Sequence, residues 1–111
     1  MSKTIVSPVK RFPGEVVLSD PLTFPQVLAF EDSLRKVNAD KDGMSLARFN
    51  YEMLPGVLAC IEEFRISGLP THPTAEQVPA TPRLQSAKFV AWLIGEVSKL
   101  YNEAEEEIPN A

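Results

Sequence analysis

Residues 44–66, MSLARFNYEMLPGVLACIEEFRI, decide how the chain is built. Leu46, Phe49, Met53, Leu54, Val57, Leu58, Ile61 and Phe64 give a wide apolar face at helical spacing. On that reading a second helical stretch runs from about Met44 to Arg65. Pro55 falls inside it, removes a backbone donor and crowds the preceding turn. The spacing therefore predicts two packed helical pieces joined by a kink at Leu54-Pro55-Gly56.

Upstream, Asn38-Ala-Asp40-Lys-Asp42-Gly43 separates this stretch from an earlier helix over about 24–38. Its start is written in PLTFPQ. Pro21 and Pro25 disfavour helical backbone at the residues before them. Thr23 and Gln26 fit a capping box, with Pro25 tolerated in the first turn. Val27, Phe30, Leu34 and Val37 then trace one apolar stripe, and Glu31 with Arg35 forms a favourable i,i+4 pair. Residues 3–18 read as extended: Ile5, Val6, Val9, Val16 and Val17 are β-branched, and Pro13-Gly14 marks a turn. Pro8 puts the first strand at an edge or breaks it.

Downstream, residues 68–82 hold four prolines, the composition of a semi-rigid crossover. Thr81 and Pro82 suit the start of a third helix that runs to about Glu106. Leu84, Ala87, Ala91, Ile94, Val97, Tyr101 and Ala104 give it a core stripe, widened by Phe89, Val90, Trp92 and Leu93. A helix apolar on most sides is central or meets a second chain. Glutamates 103, 105, 106 and 107 oppose the helix dipole, so the end is expected to fray.

The expected fold class is α+β: a short N-terminal β-hairpin, then three main α-helices, the second kinked at Pro55, with the proline-rich crossover before the last. Length makes it a single domain over 1–111, with an extended or hairpin segment 1–22, a helical body 23–106 and a flexible tail 107–111. The expected core is Val27, Phe30, Leu34, Leu54, Leu58, Ile61, Val90, Ile94 and Val97.

Composition narrows function mainly by exclusion. With 15 acidic and 11 basic side chains the net charge is −4, against phosphate-backbone binding. Cys60 is the lone cysteine and His72 the lone histidine, too few for a four-ligand zinc site. The start, MSKTIVSPVKRF, has no apolar core of signal-peptide length, and the apolar run from Phe89 to Ile94 is too short to span a bilayer. No nucleic acid, membrane or cofactor is expected, and the cytoplasm is the expected compartment.

Four candidate sites each have a plainer reading. Asn38-x-Asp40-x-Asp42-Gly43 begins like a calcium loop, yet loop position twelve is Phe49 where a bidentate acid is needed. A polar connector with Gly43 free to take positive φ fits better. His72 has no acid or nucleophile beside it in sequence. Cys60 is expected on a largely apolar helix, as a buried inert thiol would be. The C-terminal glutamates read as a solvated tail. No catalytic or metal-ligating set emerges. The aromatic group Phe24, Phe30, Trp92 and Tyr101 is core packing or a partner surface. Leu22, Phe24 and Trp92 are the candidate partner-binding residues, Leu22 and Phe24 also suiting a hydrophobic staple.

FPGEVVLSDPLTFPQVLAFEDSL (12–34), MLPGVLACIEEFRISGLP (53–70), PTAEQVPATPRLQSAKFVAWLIGEV (73–97) and YNEAEEEIPN (101–110) together resemble a family of small tailed-phage and prophage proteins placed among the tail assembly chaperones. The resemblance spans about residues 12–110 and consists of packing and turn positions. It implies a non-enzymatic protein of the host cell cytoplasm that binds the long helical tape measure protein, keeps it soluble and recruits the tail-tube protein; self-association is left open. The alternative it leaves is a small structural or connector protein retained in the phage particle.

Overall fold

A computed structural model describes residues 2–39, 43–78 and 83–107, with 83–85 and 105–107 described by their helical backbone alone. In chain order the elements are β1 (Ser2–Val6), β2 (Gly14–Ser19), α1 (Phe24–Ala39), α2 (Leu46–Ala59), β3 (Ile61–Ile66) and α3 (Arg83–Glu107). The fold is α+β, with an N-terminal hairpin and three helices. The strands form one antiparallel sheet in the order β1-β2-β3. β1 is an edge strand that stops short of Pro8, and an edge is where a residue without an N–H is tolerated.

The sheet buries one face. Ile5, Val16, Leu18, Ile61, Phe64 and Ile66 join the core with Phe30, Met53, Leu54, Val57, Phe89, Leu93 and Val97. On the other face Arg65 reaches the carboxylates of Glu15, across the strand pair, and Glu63. Of the expected core, Val27, Phe30, Leu54, Ile61, Val90 and Val97 are buried, and Leu34, Leu58 and Ile94 lie partly buried against them.

β3 overturns the long second helix and the all-helical body expected over 23–106. α2 ends at Ala59, and Ile61–Ile66 is a strand. Register passes from Val17 opposite Glu63 to Leu18 opposite Ile61, so Glu62 is an extra residue in the ladder. Such a bulge resets the two-residue alternation. Ile61 and Phe64, three apart, therefore both face the core, and a strand acquires the spacing of a helix. α2 itself runs through Pro55 as one element.

Just after that proline, Gly56 makes the close approach between α1 and α2. A Cβ there would lie 2.7 Å from Ser33 Oγ and 2.9 Å from the Ala29 carbonyl oxygen. The Gly56 N–H donates to the buried Ser33 hydroxyl at 2.9 Å. α1 begins as its sequence implies. Thr23 N–H donates to Gln26 Oε1 at 2.8 Å and Gln26 N–H to Thr23 Oγ1 at 3.4 Å, the reciprocal pair of a capping box. The expected Glu31–Arg35 pair is replaced: Arg35 pairs with Asp32, and Glu31 accepts from the Tyr101 hydroxyl.

α3 is one helix of 25 residues. Its core face is Phe89, Val90, Leu93, Val97, Leu100, Tyr101 and Ala104, whereas Ala91 is exposed and Ile94 half-buried. The stripe expected through Ala87 and Ala91 is thus rotated, because Phe89 and Leu93 gain more by burial than alanines can. Leu84, the Thr81-Pro82 helix start and the tail beyond Glu107 lie outside the described residues and side chains. The crossover is packed as well as proline-rich, since Val78 is fully buried and Pro73 is buried.

Candidate partner-binding surface

The three residues proposed from sequence do not come together. Leu22 is buried, in the same core cluster as Val27. It precedes the cap and Val27 stands at the fourth helical position, the relation of a hydrophobic staple. Leu22 is therefore fold material and not a docking residue. Trp92 is half-buried and its ring lies 5.7 Å from that of Phe89, which stacks on Phe12. Phe24 alone of the three is open, at 66% exposure.

One helical turn on, Leu28 is 45% exposed. Positions 24, 28, 31 and 35 are spaced four, three and four apart, so they share one face of α1. That face passes from apolar Phe24 and Leu28 to charged Glu31 and Arg35. At its charged end lies a shallow groove of about 330 Å³ lined by Glu31, Leu34, Arg35, Asn38 and Tyr101. Tyr101 donates its hydroxyl to Glu31 Oε2 at 2.9 Å, which fixes one carboxylate of the groove. Arg35 and Asp32 are both well exposed, so their pairing at 3.2 Å contributes little and leaves the guanidinium free to exchange partners. Sequence reasoning missed Leu28 because the stripe through Val27 and Phe30 dominates that helix. The signal was present in the i,i+4 spacing of Phe24 and Leu28.

Glu62 and His72 are each engaged in hydrogen bonds. Glu62 accepts hydrogen bonds from the Ser2 and Ser19 hydroxyls, and Gln26 Nε2 donates to Ser19 Oγ, so the bulge residue ties the sheet to the start of α1. His72 Nε2 lies 2.9 Å from the Glu62 carbonyl oxygen. The Asn50 side-chain amide is buried on α2 without a hydrogen-bond partner, which costs about 1–3 kcal/mol. Asp40 and Asp42 of the calcium-like loop lie outside the described residues, and Gly43 does not take positive φ. Among the described residues no group of three or more His, Cys, Asp or Glu is placed to hold a metal, and no helix is long and apolar enough to cross a membrane.

Cys60 is fully buried, its thiol 3.4 Å from the Gly56 carbonyl oxygen. Burial raises its pKa from 9.0 to about 12. The folded thiol stays protonated while the unfolded one ionises first, so its contribution to stability is whole below pH 9.0 and is lost as pH rises toward about 12. Iodoacetamide at pH 8 is expected to modify Cys60 only in denaturant. A Cys60→Ala variant is expected to lose less stability than the parent between those two pH values, measured by urea titration.

No family model, curated protein or solved structure matches the chain.

Proposed function

We propose that this protein is a non-enzymatic assembly chaperone of tailed phages, acting in the host cytoplasm by holding the long helical tape measure protein until the tail-tube protein assembles on it. The observation that carries this reading is the Phe24–Leu28 stripe on α1, apolar and open, running into the Glu31–Arg35 groove. A long amphipathic helix laid along α1 would cover its own apolar stripe on Phe24 and Leu28, the helix-in-groove mode. Its polar positions would meet Glu31 and Arg35. The net charge of −4 would oppose collapse of a complex containing several copies.

The test is co-expression with a tape measure fragment. The parent chain is expected to raise the soluble fraction of the fragment, and a Phe24→Asp, Leu28→Asp double variant to abolish that gain. Both side chains are exposed, so the double variant should keep the parent's circular dichroism and melt close to it. A fragment equally insoluble with and without the parent chain overturns the chaperone reading. Recovery of the protein from purified virions at structural stoichiometry would favour a connector.

A further inference from the structure

The two edges of the sheet are finished differently. In β2–β3, Glu15 pairs with Arg65 and Val17 with Glu63, while Ser67 N–H donates to the Pro13 carbonyl in the same phase. The outward backbone groups of β3 therefore belong to Glu62, Phe64 and Ile66. The following loop meets one group of each. Phe64 N–H donates to the Thr71 carbonyl at 2.8 Å, the Ile66 carbonyl accepts from Leu69 N–H at 3.1 Å, and the Glu62 carbonyl lies 2.9 Å from His72 Nε2.

β1 has no such cover among the described residues. Ser7 N–H donates to the Gly14 carbonyl at 3.0 Å, which places the β1–β2 hydrogen-bonded pairs at Ser7, Ile5 and Lys3. The N–H and C=O groups of Thr4 and Val6 then point away from the sheet, and no described residue bonds them. Val6 is 73% exposed, the most open large apolar side chain among the described residues.

We infer that β1 is a strand-addition edge for a second copy of this chain, joined antiparallel with Thr4 opposite the copy's Val6 and Ile5 opposite the copy's Ile5. Only even-numbered residues offer outward backbone groups, so Thr4 and Val6 must form the hydrogen-bonded pairs. This register meets that condition from both sides and gives four backbone hydrogen bonds about a two-fold axis. Ile5 meets its equivalent at a non-hydrogen-bonded position, where side chains approach most closely. Val6 is covered by the copy's Thr4, again β-branched. Lys3 falls opposite the copy's Ser7, so no like charges oppose one another. Of the neighbouring registers of allowed parity, the one centred on Thr4 would set Lys3 against Ile5 and Val6 against Ser2, and the one centred on Val6 would set Ile5 against Ser7 and Thr4 against Pro8, which has no N–H to give; both lose the Ile5 pair. Pro8, without an N–H, ends the ladder. Two three-stranded sheets become one of six strands, independently of whether the chain serves in tail assembly.

Sedimentation velocity of the full chain across a concentration series tests this. The parent is expected to dimerise reversibly, with the Thr4 and Val6 amides gaining protection from hydrogen exchange as concentration rises. Thr4→Pro removes an outward N–H that β2 does not use, and Val6→Lys sets a cation over the join. Each is expected to weaken the dimer at least tenfold. If Thr4→Pro does not fold, Val6→Lys decides, because that side chain stands open to solvent in the monomer. A parent monomeric at every accessible concentration overturns the inference, as does a dimer whose affinity any folded variant of the pair leaves unchanged.

Discussion

Phe89→Ala is expected to destabilise the fold by about 3–5 kcal/mol, the range for removing a fully buried aromatic ring. Phe89 has no exposed surface, and its ring is the hub of the aromatic packing. It stacks on Phe12 with centroids 4.5 Å apart, and lies 6.3 Å from Phe64 and 5.7 Å from Trp92. Those neighbours belong to the β1–β2 turn, to β3 and to α3, so one deletion loosens three parts of the molecule. Small domains hold only about 5–15 kcal/mol in total. The variant should unfold at much lower urea and lose the near-ultraviolet dichroism of its aromatic rings. Phe24→Ala, at an exposed ring, should stay within about 0.5 kcal/mol of the parent. Equal losses in the two variants would contradict the packing described.

Gly14→Ala is expected to be the most damaging exchange of a small residue. Gly14 has φ +133°, a conformation L side chains rarely adopt, and a Cβ would sit 2.1 Å from the Arg65 carbonyl oxygen. That oxygen belongs to the β3 backbone and cannot swing aside, so relief requires the end of the β2–β3 pairing to open. Ser7 N–H donates to the Gly14 carbonyl and Ser67 N–H to that of Pro13, so the opening would reach both neighbouring strands. Backbone strain alone accounts for about 1–3 kcal/mol, and the steric conflict adds to it. Urea titration should therefore show a loss of at least about 2 kcal/mol. Gly43→Ala is the control: a Cβ added there would meet nothing within 4 Å, and its φ is not positive, so little change is expected.

The sequence was most legible where local chemistry decides the structure. Thr23, Pro25 and Gln26 specify how α1 starts, and the same three residues start it in the structure. Ile5 and Val16 fall on paired strands, as β-branched residues either side of a turn signal should, but the turn itself runs from Val9 to Phe12 and Gly14 already belongs to β2. β3 was illegible because the bulge at Glu62 depends on what Leu18 and Val17 need opposite them, which is a property of the partner strand. The face of α3 was misread for a related reason. With apolar residues on most of its circumference, only competition for the core could select Phe89 and Leu93 over Ala87 and Ala91. For the candidate surface, Phe24 was visible as an apolar residue beyond the core stripe. Whether Leu22 stood beside it or beneath it depended on how the chain enters the sheet layer.

The placement of β3 has a consequence for how the chain comes to be folded. Ser19 and Glu62, hydrogen-bonded in the sheet, are 43 residues apart, and both α1 and α2 lie between them. β1 and β2 can zip as a hairpin, and α1 can meet α2, through contacts between neighbours in sequence. The third strand must instead close a long loop, at an entropic cost that only later contacts offset. During synthesis β2 thus waits with a bare edge until both helices and residue 66 have emerged. The rate at which the α1–α2 pair delivers β3 is expected to limit folding, and the docking of α3 over Phe12 and Phe64 to follow it.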